Sequence, residues 1–82
     1  MGQRVLVTAG ASGIGREIAK AFAANGASVF VCDIDANSLT AIAAEISGLK
    51  TGLCDVSKRA DIERMVAECP TALGGLDVLV NN

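Results

Sequence analysis

The residues with the most chemical potential lie near the N-terminus, in the stretch Val5 to Gly15, VLVTAGASGIG. An apolar, β-branched run (Val5, Leu6, Val7) gives way to small residues and glycines, and a helical pattern opens at Ile14. A strand therefore feeds a tight turn into a helix N-terminus. The first turn of a helix offers unpaired N–H groups and the positive end of the helix dipole, and residues without side chains let a phosphate approach them. A pyrophosphate is the ligand expected there.

Glycines also serve tight turns for conformational reasons alone, so spacing has to discriminate. Gly10, Gly13 and Gly15 give G-x-x-G-x-G, with Ser12 at the second glycine position of the G-x-G-x-x-G dinucleotide fingerprint. Gly10 and Gly15 are spaced as in a P-loop, but Arg16 and Glu17 stand where that motif needs Lys and Ser/Thr. A carboxylate in place of the magnesium-binding hydroxyl argues against a nucleoside triphosphate. The stretch TAGASGIG resembles the T-G-x-x-x-G-x-G of short-chain dehydrogenases/reductases, with Thr8, Gly13 and Gly15 matching. It departs at Ala9, where the family has glycine, and Gly10 is expected to take over the turn. The resemblance implies a dinucleotide cofactor held by Thr8, Gly10, Ser12, Gly13, Ile14 and Gly15.

The elements that must position this turn alternate along the chain. Ile14, Ala19, Ile18, Phe22 and Ala23 form an apolar stripe to about Ala24, ended by Asn25-Gly26. Ser28–Cys32 reads as a strand buried on both faces. Asp35 or Asn37 caps a second helix with Leu39, Ile42, Ala43 and Ile46 on one side and Gly48 past its end. Leu49–Cys54 is a weaker strand containing Gly52. Ser57 is a candidate cap for a third helix burying Ile62, Met65, Val66 and Cys69, which Pro70 should stop or kink. After Gly74-Gly75, Leu76–Val80 reads as a fourth buried strand. The order β-α-β-α-β-α-β implies a parallel α/β sheet with strand order 3-2-1-4, part of a Rossmann fold. Helices one and two should cover one face and helix three the other, leaving the outer edge of strand four without a neighbour.

Asp33 lies eighteen residues beyond Gly15, near the place where an acidic residue of this fold bonds the adenosine ribose. A carboxylate there accepts from the 2′-OH and repels a 2′-phosphate, which favours NAD over NADP; starting a turn is its plainer role. Asp55-Val56 resembles the pair with which the family frames the adenine, although Asp55 could equally cap helix three. LDVLVNN resembles the family's fourth strand and the start of N-N-A-G, which implies that Asn81 and Asn82 brace the sheet beside the cofactor. The resemblance further implies hydride transfer between a nicotinamide cofactor and an alcohol or carbonyl, by a Tyr-x-x-x-Lys pair. The chain has no tyrosine, so no catalytic residue is assigned and residues 1–82 are expected to be the N-terminal half of a dinucleotide-binding domain.

Composition narrows the rest. A chain of 82 residues allows one small domain, which buries only about 60 to 65% of its unfolded surface. Its 51% hydrophobic content and net charge of −2 fit a folded, cytoplasmic chain without a basic surface for nucleic acid. Apolar runs are too short to span a membrane. Cys32, Cys54 and Cys69 form no C-x-x-C motif and there is no histidine, so they are expected as reduced core thiols and not as zinc ligands. The open edge of strand four also admits a different reading, a non-catalytic module that self-associates as a homo-oligomer.

Overall fold

The computed structural model describes residues 2–82. The elements are β1 (Arg4–Thr8), α1 (Gly13–Ala24), β2 (Ser28–Asp33), α2 (Ala36–Glu45), β3 (Lys50–Leu53), α3 (Arg59–Leu73) and β4 (Val78–Val80). All strand pairs are parallel, in the order β3-β2-β1-β4. Val5 pairs with Val29 on one side and with Val78 on the other, which makes β1 the central strand.

Alternation along the strands divides the core into two layers. Val5, Val7, Val29 and Val31 face α1 and α2, where Ala19, Leu39 and Ile42 are buried against them. Leu6, Phe30 and Cys32 face α3 and meet Met65, Cys69 and Cys54. Helices one and two thus cover one face and helix three the other. Each fully buried Val, Leu or Ile contributes about 1.5–3 kcal/mol relative to exposure, and β1 and β2 supply most of these residues. All three cysteines are buried and unpaired.

At the opposite end of the sheet from the turn, Arg4 clamps β4. Its guanidinium donates to both Asp77 carboxylate oxygens, at 2.9 and 3.1 Å, and to the Gly74 carbonyl at 2.7 Å. The Arg4 amide also donates to Asp77, and the Asp77 amide donates back to the Arg4 carbonyl at 2.8 Å. The guanidinium holds the Asp77 carboxyl below the usual carboxylate range.

Several sequence expectations are corrected. Helix α3 passes through Pro70 and ends at Leu73, with Gly74 left-handed at φ 81°. Proline in the last turn removes a single bond, to Val66, and Val66 is half exposed, so water can replace the donor. The residue before α3 is Lys58 and not Ser57, and Ile62 and Val66 lie on its exposed side. Asp35 caps α2, accepting from the amides of Asn37 and Ser38. Strands β3 and β4 are shorter than expected, and β4 is only partly buried, with Leu79 54% exposed. It pairs with β1 alone among the described residues, and α3 does not reach across it. Ile14 is 74% exposed and does not join the apolar stripe of α1.

Replacing Pro70 restores an amide donor in α3 and removes the ring's clash with the preceding turn. Pro70→Ala should stabilise the chain by about 0.5–1 kcal/mol after allowance for water at the Val66 carbonyl and for the freer unfolded state. Urea unfolding of the two proteins measures it, and an unchanged midpoint would contradict the account of α3.

Candidate functional site

The carboxyl ends of all four strands converge on one edge of the sheet, where parallel α/β folds place their ligands. Strand β1 delivers Thr8 and the turn to α1, and β2 delivers Asp33. Strand β3 leads to Asp55 and Val56, and β4 to Asn81 and Asn82. Every residue that the sequence assigns to the cofactor site therefore lies on this edge.

The turn is built from backbone groups. Gly10 and Ala11 turn their amides inward: Gly10 donates to the Cys32 carbonyl at 3.2 Å and Ala11 to Asp33 Oδ2 at 3.1 Å. The first helical bond is from the Arg16 amide to the Ser12 carbonyl. Among the described residues, the amides of Ser12, Gly13, Ile14 and Gly15 have no protein acceptor, and the Ser12 side chain does not cap them. These four N–H groups, with the dipole of a 12-residue helix behind them, are the anion-binding feature.

Close packing explains why this edge is built from small residues. A Cβ on Gly15 would fall 2.5 Å from the Ala9 carbonyl oxygen and 2.5 Å from Asn82 Nδ2. Gly10 is wedged between Val7 and Val31, whose methyl carbons would lie 2.9 and 3.0 Å from its Cβ. Gly13, at φ 59°, faces open space. Gly10 does not take over the turn from Ala9, as the sequence suggested. Ala9 itself adopts the left-handed conformation, at φ 51°, where an L side chain is strained.

Strand β4 steadies this strained residue. The Asn82 side chain donates to the Ala9 carbonyl at 3.1 Å, and the Asn82 amide donates to the Thr8 hydroxyl at 3.0 Å. The Thr8 hydroxyl lies 3.3 Å from both the Val80 carbonyl and Asn81 Oδ1, either of which can take its proton. Thr8, Asn81 and Asn82 thus form one bracket between β1 and β4. On the α3 face below it, a cavity of about 270 Å³ is lined by Thr8, Cys32, Cys54, Val56, Met65 and Asn81, among others. Burial pushes the Cys32 thiol up to about 12, with Cys54 beside it adding to the rise, so it is a neutral wall.

The acidic residues divide in character. Asp33 is 8% exposed, and its Oδ1 accepts the Asp35 amide at 3.1 Å. Asp55 forms a turn of its own: its Oδ1 accepts from the Ser57 hydroxyl and amide, which hold its carboxyl below the usual range. Its amide donates to Asp61 at 2.9 Å. Asp55 therefore folds the loop before α3 without capping it, and it shares no hydrogen bond with the glycine turn. Arg16 is held by Glu45 of α2 and by Glu17, away from the turn amides. Sequence reasoning missed Ala11, whose contribution is an amide that no residue pattern reveals. Ile34, which puts no basic side chain after Asp33, is an exposed apolar residue between two aspartates just past β2.

A parallel βαβ sheet with a glycine turn at the switch between β1 and β4 defines half of a Rossmann fold. The family model for short chain dehydrogenases matches residues 3–82, and the chain belongs to that family. It is 41% identical over 81 residues to the L-fucose dehydrogenase of Bos taurus, covering 99% of this chain and 30% of that protein. It is 49% identical over 80 residues to the 2-keto-3-deoxy-L-fuconate dehydrogenase of Xanthomonas campestris pv. campestris, covering 98% of this chain and 25% of that protein. Among solved structures, an actinorhodin polyketide ketoreductase with NADPH superposes with a TM-score of 0.93 at 36% identity, covering 99% of this chain and 33% of that one. A hydroxysteroid dehydrogenase from Escherichia coli gives 0.93 at 34%, covering 99% and 36%. The chain spans about a third or less of the length of these relatives.

Two substitutions at the turn should act in opposite directions. Ala9→Gly relieves the left-handed strain and should stabilise the fold by about 0.5–1 kcal/mol net of unfolded-state entropy. Gly15→Ala forces a methyl against Ala9 and Asn82 and should destabilise by about 1–3 kcal/mol. Thermal unfolding of both variants measures the pair; effects of the same sign would contradict the turn geometry.

Proposed function

We propose that this chain is the cofactor-binding part of an oxidoreductase that moves hydride between a nicotinamide dinucleotide and an alcohol or carbonyl. The observation that carries the reading is the row of four outward amides, Ser12 to Gly15, beside the Asp33 carboxylate at the end of β2. Gly15 leaves the turn no room for a side chain, while the space above Gly13 is open, so the backbone fits a pyrophosphate. Thr8, Gly10, Asn81 and Asn82 support that turn, and Ser12, Gly13, Ile14 and Gly15 face the pyrophosphate. Asp33 takes the ribose hydroxyls, and Asp55 and Val56 frame the adenine. When bound, the nicotinamide ring accepts or releases the hydride.

NAD is the preferred cofactor in this reading. Asp33 repels a 2′-phosphate, Ile34 offers it no charge, and Arg16 is committed to Glu45. Catalysis needs residues that this chain lacks, because it contains no tyrosine to act as the family's acid/base group. The reading includes a cytoplasmic location, in keeping with three unpaired buried thiols. No described helix is long and apolar enough to cross a membrane.

Calorimetric titration with NADH, NADPH and ADP-ribose tests the proposal. NADH should bind at least about tenfold more tightly than NADPH, and Asp33→Ala should remove that preference. ADP-ribose should match NADH to within about threefold, since the nicotinamide end finds no pocket in this chain. The chain alone should not turn over alcohols or ketones. Folded protein that binds none of the three would overturn the reading.

A second reading is favoured by one observation. Among the described residues strand β4 pairs only with β1, and exposed Leu79 on it lies on the same side of the sheet as exposed Ile62 and Val66 of α3. Two copies joined along this edge would complete the sheet pairing and cover those residues. Sedimentation should then show a dimer at high concentration, and a monomer throughout would count against it.

A further inference from the structure

We propose that Asp33 is a positioning residue for the phosphate turn, setting which of its amides face a ligand, in addition to any contact it makes with the ribose. Its consequence for binding rests on the dinucleotide reading above.

Along the turn, the amides divide into two groups. Those of Gly10 and Ala11 point into the sheet, and those of Ser12 to Gly15 have no protein acceptor. The boundary falls at Ala11, which is itself buried. The Gly10 amide is held by a backbone carbonyl, that of Cys32, which any residue at that position would supply. The Ala11 amide is held by a side chain, Asp33 Oδ2, twenty-two residues away. Asp33 is thus the side chain that ties the turn to the end of β2.

The carboxylate is itself fixed. Its other oxygen accepts the Asp35 amide, so rotation about the carboxyl would exchange both bonds at once. A carboxylate has about four acceptor positions, and two are used here, which leaves two for ribose hydroxyls. Supporting the turn and binding the ribose are therefore compatible. Removing the carboxylate strands a buried amide, which must find water or rotate outward, and either outcome disturbs the neighbouring Ser12 amide.

Direct contact and positioning are separable with 2′,3′-dideoxyadenosine diphosphate, which keeps the diphosphate and lacks both ribose hydroxyls. If Asp33 acted only through those hydroxyls, Asp33→Ala would leave its affinity unchanged or improve it, because a negative charge near the diphosphate is lost. Positioning predicts the opposite, a loss of about tenfold. Amide hydrogen exchange, followed by NMR on the free protein, reads the turn without any ligand. In Asp33→Ala, exchange at Ala11 should accelerate at least about tenfold while Val7 in the core is unaffected. Asp33→Asn keeps one acceptor, so the amide of either Ala11 or Asp35 should accelerate; this variant carries the test if thermal melts show that the alanine variant unfolds.

Unchanged exchange at both amides in the folded variants would overturn the proposal, as would dideoxy nucleotide binding that is equal or tighter in Asp33→Ala. Wild-type protein that binds neither NADH nor the dideoxy nucleotide would overturn the dinucleotide reading instead. Exchange at Ala11 would still decide what Asp33 does to the turn.

Discussion

The central position of β1 is the constraint on which the rest of the structure depends. Paired with β2 on one side and β4 on the other, it is buried on both faces through Val5, Leu6 and Val7. The chain leaves it toward α1 and β2, whereas β4 arrives on its opposite flank. Those two directions open a crevice where β1 ends, and the glycine turn occupies that crevice. Without the flanking strands, the four outward amides would be an ordinary helix end.

Alternation of apolar runs with helical stripes made the sheet order and the two-layer core legible in the sequence. Val5, Val7, Val29 and Val31 read as strand residues because β-branched runs bounded by turns leave few alternatives. The strand ends carrying Asp33, Asp55 and Asn81 followed from the same pattern. Features that depend on neighbours were not legible. Ile62 and Val66 have helical spacing, but burial requires something to face, and nothing among the described residues covers them. Pro70 signals a break, yet its position in the last turn of α3 lets the helix continue.

At the site, residue types were legible and backbone direction was not. The spacing of the glycines located the turn, but could not show that Ala9 takes the left-handed conformation while Gly10 packs against Val7 and Val31. The Ala9 carbonyl takes a hydrogen bond from the Asn82 side chain, a contact between residues 73 positions apart, and only a glycine at position 15 leaves room for it. Asp55 shows the same limit. Its spacing marked a strand end, while its bonds to Ser57 and Asp61 emerge only once the loop before α3 is closed.

The clamp between Arg4 and Asp77 bears on the order in which the chain assembles. It joins residues 73 apart, so closing it costs more chain entropy than any step within β1-α1-β2. Contacts of such sequence separation are the slow ones in small domains. Strands β1, β2 and β3 with their two connecting helices are joined through nearer contacts, whereas β4 is the piece whose contacts with β1 span the chain. Arg4 at one end and Thr8 at the other are the two points where that piece is fastened. The phosphate turn, which leans on Asn82, therefore owes its final shape to some of the most distant contacts in the chain.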